Sequence, residues 1–360
     1  MDPAAFRQQF PVFEQTAYLN AGSCGPLPGA ALRGAADVAL QAAEEGRVLD
    51  YFLATVTAVD RLRAAYAAPM GAAAADVAVT TCTSEGLAAM IAALRLQPGD
   101  EVLTAPDEHP GLLGPLAAAR RHLGVVVRTA PLAGIAEAVD PGTTKLVACS
   151  HVNWTTGALA PAALAEVGRE VPVLLDGAQG TGALRFDVAS LGCFAYAAAG
   201  QKWMCGPVGT GMLWVDPAWH ERLVGLTPGY TNLAVPNDGL DADTWPDARA
   251  FDAPAISFEV AAAAAAAADV LDAFGWDAVF ERAQELTAEL VAGLTAAGCE
   301  VAPRDATTLV SWVAPDPAAF VARAAAAGVV VRPLPGTPYV RASVGAWNDA
   351  SDLGRLLELV

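Results

Sequence analysis

One of the two lysines of this chain lies in a setting that suits a reactive amine. Lys145 opens an apolar strand, whereas Lys202 lies within AAAGQKWMCGPVGTG, among small residues and next to an aromatic one. Burial disfavours the charged ammonium, lowers its pKa and frees the lone pair for attack on a carbonyl carbon. The alternative is a lysine whose stem lies along the surface with its charge in water. The context favours a lysine that forms a Schiff base.

A carboxylate upstream of Lys202 suggests which carbonyl compound that would be. Asp176 ends the apolar run VPVLLD and is followed by GAQG. The carboxyl ends of parallel strands face the ligand crevice of an open sheet, so Asp176 could hold a protonated ring nitrogen; taken alone, it could equally cap a turn. Pyridoxal phosphate (PLP) needs both groups, an acid that keeps its ring electron-withdrawing and a lysine that carries its aldehyde.

Two further segments supply residues that suit this cofactor. TCTSEG leads from a strand into a helix, whose N-terminal N–H groups favour a phosphate, and Thr83 and Ser84 add hydroxyls; an ordinary N-cap is the alternative. His109, in PDEHPGL, could lie flat against an aromatic ring or be a loop residue. No metal site is expected, because the chain has no HExxH motif and no close His/Cys pair.

The elements that must position these residues alternate along the chain. From about residue 76, short β-branched runs alternate with Ala- and Leu-rich helical stretches, including short helices near 135–139 and 161–169. This pattern predicts an α/β fold with a mostly parallel sheet covered by helices. Residues 217–254 are rich in Pro, Asp and Gly and predict loops. We expect an N-terminal segment (1–20) that joins a small domain, a large domain (21–254) and a small α+β domain (255–360).

Composition excludes several classes of protein. The 360 residues carry a net charge of -18, which disfavours binding to nucleic acid or to an anionic membrane. The apolar run 260–268 is far short of the ~20 residues that span a bilayer. The N-terminus has no basic start or apolar stretch of a signal peptide, and the six cysteines are scattered. We therefore expect a cytoplasmic protein with reduced thiols.

Taken together, the motifs resemble the class V aminotransferase family of fold-type I PLP-dependent enzymes, which includes cysteine desulfurases, isopenicillin N epimerase and C–S lyases. The resemblance runs from YLNAGSCGPLP (18–28) to YVRASVGAWND (339–349). It implies a mostly parallel sheet of seven strands, PLP as cofactor, and a homodimer with shared active sites, for which 217–254 is the candidate interface. The implied residues are Thr83 and Ser84 at the phosphate, His109 stacked on the ring, Asn153 near the ring, Asp176 at the ring nitrogen, Gln179 near the ring hydroxyl, Gln201 and Lys202 at the Schiff base, and Asn20, Ala21, Gly22 and Arg341 at the substrate.

The sequence departs from the family pattern at four places. Gln201 replaces a frequent His, Ala199 replaces a phosphate-binding Ser, and Ala255 lies near the place of a Thr that reaches the neighbouring subunit. Cysteine desulfurases carry a nucleophilic Cys on a loop just before the substrate Arg. Residues 329–341, VVVRPLPGTPYVR, contain none. A desulfurase mechanism is therefore disfavoured.

The resemblance implies an enzyme that acts on an amino acid through an external aldimine and a Cα carbanion, with Lys202, His109 and Asp176 as catalytic residues. Transamination and C–S lyase chemistry by β-elimination are the favoured outcomes, and epimerisation is an alternative. From another class, LLDGAQGTGAL could be a nucleotide or S-adenosylmethionine loop, but it fails G-x-G-x-x-G. A non-catalytic homologue is the remaining alternative. The sequence does not identify the substrate.

Overall fold

The computed structural model describes residues 1–225 and 228–360 of the chain. Its strands are β1 (Ala17–Tyr18), β2 (Val77–Thr80), β3 (Glu101–Thr104), β4 (Val126–Thr129), β5 (Thr144–Ser150), β6 (Val173–Asp176), β7 (Ala195–Ala199), β8 (Gly211–Val215), β9 (Leu309–Val313), β10 (Val329–Val330), β11 (Arg332–Pro333) and β12 (Tyr339–Ser343). Its helices are α1 (Pro3–Arg7), α2 (Gly29–Glu44), α3 (Leu49–Ala67), α4 (Thr83–Ala93), α5 (Pro110–His122), α6 (Leu164–Val167), α7 (Phe258–Phe274), α8 (Trp276–Ala296), α9 (Pro317–Ala326) and α10 (Ala350–Leu357).

Seven strands form the central sheet in the order β2-β8-β7-β6-β5-β3-β4. The pairs from β7 to β4 are parallel, and β8 runs antiparallel to both of its neighbours. Successive residues of β2 pack into different cores, Val77 and Val79 on one face and Ala78 on the other. Helices therefore cover both faces, which explains why the strands lack polar alternation. The predicted α/β fold with a mostly parallel seven-stranded sheet is confirmed.

The topology brings the carboxyl ends of β2, β3, β5 and β6 to one edge of the sheet. β2 is antiparallel to β8, which is antiparallel to β7, so β2 points the same way as the parallel strands. The segments that follow these four strands, together with the segment that follows the parallel strand β7 and carries Lys202, hold the candidate residues of the large sheet. Ligands of open α/β sheets bind at this edge.

The C-terminal residues form a smaller layered unit beside that edge. β11, β12 and β9 make an antiparallel sheet, and α8, α9 and α10 pack on it around an apolar core. The N-terminal segment reaches this unit, because β1 pairs in parallel with β10 and Asn20 forms a bridge to Ser343. The division into three domains stays a prediction. α7, which lies beyond the predicted boundary at 254, packs its alanines against α2, with Ala31, Ala263 and Ala267 buried together.

Several elements differ from the sequence prediction. α2 and α3 were not predicted, because the alternation of strands and helices from which the elements were predicted begins at about residue 76. Residues 135–139 form turns rather than a helix, and 161–169 contains only the single turn α6. The described part of 217–254 contains short 3-10 turns at 217–222, 230–232, 236–241 and 248–251. None of the helices in the described part of the chain has the length and apolarity that crossing a membrane requires.

Candidate active site at the carboxyl edge of the central sheet

Asp176 ends β6, where it is buried. Its Oδ1 accepts a hydrogen bond from the Ala178 N–H at 2.9 Å. Burial raises the pKa of Asp176, and the nearby positive charge of Lys202 opposes that shift. The loop that follows Asp176 can pass close to Tyr196 because it begins with glycine. A Cβ on Gly177 would lie 1.9 Å from the Tyr196 ring. The carboxylate is thus fixed in a place that favours a cationic partner.

Lys202 lies on the segment between β7 and β8 and is largely buried. Burial and the positive charges of Arg341 and Arg332 lower the pKa of Lys202 to about 8, against the opposing attraction of Asp176. Among the described residues, Nζ makes no hydrogen bond or ion pair. The backbone next to it is closed by the N-terminal segment, since a Cβ on Gly25 would lie 2.0 Å from the Lys202 carbonyl oxygen. A desolvated, unpaired amine of this kind is a nucleophile or a base.

His109 follows β3 and caps the N-terminus of α5. Its Nδ1 accepts a hydrogen bond from the Gly111 N–H at 3.0 Å, so Nδ1 carries no proton. Burial, with the charges of Lys202, Arg332 and Arg341, lowers the pKa of His109 to about 4. The ring meets the Trp154 ring edge-on, with centroids 5.2 Å apart. His109 is therefore a neutral aromatic ring beside Lys202 at pH 7.

Arg341 lies fully buried on β12 without a carboxylate partner among the described residues. Its Nη1 donates to the Trp154 carbonyl at 2.6 Å, its Nη2 donates to Ser23 Oγ at 3.4 Å, and its Nε has no partner. Burial and the adjacent charge of Arg332 lower the pKa of Arg341 to about 9. Burying a charged group without a partner costs free energy, so this guanidinium is suited to bind an anion.

Arg332 belongs to the same cluster and was missed by the sequence analysis. It is the register partner of Arg341 across β11 and β12, and its Nη1 donates to Ser23 Oγ at 3.0 Å. Two guanidinium groups therefore share one hydroxyl and, within the described residues, neither pairs with a carboxylate. Only the strand register reveals this pairing. In the sequence, Arg332 is one arginine in the segment VVVRPLPGTPYVR (329–341), and nothing in its spacing marks it as a partner of Arg341.

The three polar residues expected around the ring have different environments. Both polar atoms of the Gln179 amide are hydrogen-bonded. Its Nε2 donates to the Gly22 carbonyl at 2.9 Å, and its Oε1 accepts from Trp203 Nε1 at 3.0 Å. Gln201 has a buried Oε1 without a partner in the described part of the chain. Gln179 thus ties the loop after β6 to the segment over Lys202, while Gln201 retains a free acceptor.

Asn153 uses its side-chain amide within its own turn and towards the loop after β3. Its Nδ2 donates to Asp107 Oδ2 at 2.8 Å, and its Oδ1 accepts from the N–H groups of Thr155 and Thr156 at 2.9 and 3.0 Å. The amide therefore holds its own turn, and its place near the ring stays a prediction. The next residue, Trp154, is the one whose side chain reaches His109.

Thr83 and Ser84 form the first turn of α4, as the sequence predicts. The N-cap residue, Cys82, makes no side-chain hydrogen bond to the helix, so the N-terminal N–H groups stay open to an anion. Close by, Glu85 accepts from both the N–H and the hydroxyl of Thr81 at 2.6 Å. The helix end is thus built for a phosphate but lacks a basic side chain in its first turn.

The segment 20–22 presses against the arginine cluster. A Cβ on Gly22 would lie 2.7 Å from Ser343 Oγ and 2.9 Å from Arg341 Nη2, so only glycine fits there. Asn20 has a buried Oδ1 without a partner in the described chain. The Ala21 methyl group is fully buried in an apolar cluster with Trp203 and Trp347, so a substrate contact of Ala21, which stays a prediction, would have to use its backbone.

These residues are the donor set that PLP requires. The unpaired amine of Lys202, the buried carboxylate of Asp176, the neutral ring of His109 and the open N-terminus of α4 all lie at one sheet edge. They define a PLP-binding site of an α/β enzyme. Across residues 1–225 and 228–360, no group of three or more His, Cys, Asp or Glu side chains is placed to hold a metal ion.

The chain belongs to the class V aminotransferase family, whose model, "Aminotransferase class-V", matches residues 42–314. The predicted family, PLP-dependent enzyme class and cofactor are confirmed at that level. An isopenicillin N epimerase of Amycolatopsis lactamdurans is 33% identical over 225 residues, 58% of this chain and 56% of that protein. A probable cysteine desulfurase of Pseudomonas aeruginosa is 30% identical over 327 residues, 78% of this chain and 76% of that protein.

The chain spans about half the length of the isopenicillin N epimerases that it matches. Among solved structures, the cystine C–S lyase C-DES in complex with its reaction product, cysteine persulfide, has a TM-score of 0.90 at 24% identity, with 97% of this chain and 98% of that chain covered. A mutant of C-DES with glycine covalently linked to the PLP cofactor has a TM-score of 0.91, also at 24% identity, covering 98% of each chain. These structures share the fold.

Proposed function

We propose that the protein is a PLP-dependent C–S lyase that eliminates a sulfur leaving group from an amino acid carrying a second acidic group. The observation that carries the proposal is the pair of arginines, Arg341 and Arg332, which share Ser23 and face no carboxylate among the described residues. One guanidinium suffices for the α-carboxylate of an amino acid. The second favours a substrate with a further anionic group, as a disulfide-linked diamino acid has.

Two further observations favour this reaction over the alternatives. Residues 329–341 contain no cysteine, so a desulfurase nucleophile is missing from that loop. One structure with the same fold is a cystine C–S lyase in complex with its reaction product, cysteine persulfide, which supports the substrate class by analogy only. Epimerisation needs a second base on the other side of Cα. His109 lies beside Lys202, but its Nδ1 accepts from the Gly111 N–H and its pKa is about 4, so it is a weak base.

The residues of the site have separate tasks in such a reaction. Bound PLP supplies an electron-accepting ring for the negative charge that develops at Cα. Arg341 binds the α-carboxylate, and Arg332 binds the distal acid. Lys202 Nζ, with a pKa of about 8, takes the proton from Cα near neutral pH. Asp176 presents its carboxylate to the ring nitrogen, and the N-terminus of α4, with Thr83 and Ser84, holds the phosphate.

The test is a product assay with purified, PLP-loaded protein and a panel of sulfur amino acids. β-Elimination converts R–S–CH2–CH(NH3+)–COO⁻ and water into R–SH, pyruvate and ammonium, so pyruvate and ammonium should appear in equal amounts. We expect cystine to be turned over faster than S-methylcysteine, which lacks the second carboxylate. A keto acid that retains the intact side chain, inversion at Cα without release of sulfur, or formation of alanine would each refute the proposal.

We also propose a homodimer. α3 exposes Leu49, Phe52, Leu53 and Val56, whose spacing places them on one face of the helix. Phe52 contacts Tyr230, with ring centroids 6.0 Å apart, so this apolar face continues into the predicted interface segment 217–254. Sedimentation should give twice the monomer mass. A Phe52→Asp variant that stays at the same mass as wild type would place the interface elsewhere.

A further inference from the structure

Glu108, which directly precedes His109, turns its side chain away from solvent towards the end of β5. It is 3% exposed, and its Oε1 accepts from the Ser150 N–H at 2.8 Å while Oε2 bonds to the Ser150 hydroxyl. Ser150 is the last residue of β5 and the register partner of Asp176 on β6. The Glu108 carboxyl group therefore joins the loop that carries His109 to the strand end beside Asp176.

The same loop is tied a second time through the residue before Glu108. Asp107 accepts from Asn153 Nδ2 at its Oδ2, at 2.8 Å, and from Trp154 Nε1 at its backbone carbonyl, at 3.0 Å. These bonds and the two from Ser150 connect the loop after β3 to the loop after β5. The His109 ring is held where the two loops meet, against the edge of Trp154.

Burial and the neighbouring carboxylates make a neutral Glu108 accessible near neutral pH. Burial, with Asp176 on β6 and Asp107 on its own loop, raises the pKa of Glu108 to about 7, although the bonds from Ser150 oppose this. Cys149 on β5 also faces it, and its own pKa is raised well above the ordinary value by burial and by the Glu108 charge. A protonated carboxyl offers one acceptor for the Ser150 N–H and one donor for its hydroxyl, as a glutamine amide does.

We propose that Glu108 is a positioning residue of the active site: held by Ser150, it fixes the orientation of His109 and, in its protonated form, leaves the negative charge at this strand end to Asp176. The inference deepens the PLP-dependent function and does not depend on which reaction follows. Glu108 itself acts through His109 and Asp176 and touches no reacting atom.

The test is an NMR titration of the His109 ring in the full-length protein, with PLP bound and again after its removal. The chain has four histidines, so a His109→Gln variant assigns the signal. In wild type the ring should stay unprotonated down to about pH 4. In Glu108→Ala the loop is released, and the protonation midpoint should rise by about one pH unit or more towards the ordinary histidine value. Glu108→Gln should titrate as wild type.

Matched controls separate positioning from general stability. Glu137→Ala, at an exposed glutamate, should leave the His109 titration unchanged. Ser150→Ala removes one of the two bonds and should give an intermediate shift, which serves as the measurement if Glu108→Ala does not fold. Activity should fall about tenfold or more in Glu108→Ala, because a misplaced group costs rate, and stay within about threefold in Glu108→Gln.

Two outcomes would overturn the proposal. A wild-type His109 titration in a folded Glu108→Ala or Ser150→Ala protein would show that Glu108 does not position the ring. A Glu108→Gln variant as impaired as Glu108→Ala would show that the carboxylate charge matters, contrary to a neutral Glu108. Because the titration requires no turnover, it stays informative even if the C–S lyase assay fails.

Discussion

Two buried arginines in this molecule have opposite environments. Arg63 on α3 donates through both Nη atoms to Asp252, at 2.7 and 2.8 Å, and through Nη1 also to the Val77 carbonyl at 2.8 Å. Arg341 is buried just as deeply, yet it meets only a carbonyl and a hydroxyl and lies beside a second guanidinium. The bonds and charge of Asp252 raise the pKa of Arg63 despite its burial, whereas the pKa of Arg341 falls to about 9.

The difference distinguishes a buried charge that stabilises the fold from a buried charge that is available to bind a ligand. Asp252 compensates Arg63 within the chain, and it also accepts from the Val79 N–H at 2.8 Å, so this pair fastens residue 252 to the edge strand β2. Nothing in the described chain compensates Arg341. Under the proposed function, the missing anion is the substrate carboxylate, which would offset the cost of burying Arg341 when it binds.

The largest effect on folding is expected from removing Asp252. Asp252→Ala removes the buried, hydrogen-bonded counter-ion of Arg63 and leaves it only the exposed Asp60 at 3.5 Å, which should lower the free energy of unfolding by about 3–5 kcal/mol. Denaturant unfolding measures this, and turnover per folded molecule should stay at the wild-type level. Asp277→Ala, which breaks the exposed pair with Arg185, is the control and should cost less than about 1 kcal/mol. Equal losses in the two variants would remove the basis of the comparison.

Arg341→Met should have the opposite profile. The substrate carboxylate loses a desolvated, charge-assisted partner, so kcat/KM should fall by about 100-fold to 1000-fold, equivalent to about 3–4 kcal/mol. The unfolding free energy should stay the same or increase, because an uncompensated buried charge has been replaced by an apolar side chain. A large loss of stability in this variant would mean that Arg341 is structural, like Arg63.

Arg332→Met sharpens the comparison within the cluster. Losing the guanidinium assigned to the distal acid should raise KM for cystine by about tenfold. For S-methylcysteine, which has no distal acid, KM should change by less than about twofold. Steady-state kinetics on both substrates measures the ratio. Equal changes for both substrates would mean that Arg332 acts only by its charge on Arg341, and the second acidic group would have to be dropped from the proposed substrate.

The sequence predicted the parts of the site that depend on strand ends. Lys202, Asp176 and His109 are rare or charged residues that end or follow parallel strands, whose carboxyl ends necessarily meet at one edge. Arg341, within the antiparallel strand β12, was predicted from the family resemblance alone. Arg332 was missed because its importance lies in the register of β11 and β12 and in the lack of a counter-ion nearby, neither of which one sequence displays. The resemblance implied Asn153 and Ala21 without their contacts, because the direction of a side chain in a tight turn is set by the turn's own hydrogen bonds and packing.

Lys202, the partly buried amine of the site, should make the stability of the protein depend on pH. Its pKa is about 8 in the folded protein and 10.5 when unperturbed, so between these pH values the unfolded chain binds more protons. The free energy of unfolding of the PLP-free protein should therefore rise with pH from about 8 to 10.5. Lys202→Met should lack this part of the slope, whereas Lys145→Met, at the exposed lysine, should keep it. Denaturant unfolding at several pH values measures the difference. If all three proteins follow one pH curve, Lys202 has the ordinary pKa of a solvated lysine and is not poised as a base at neutral pH.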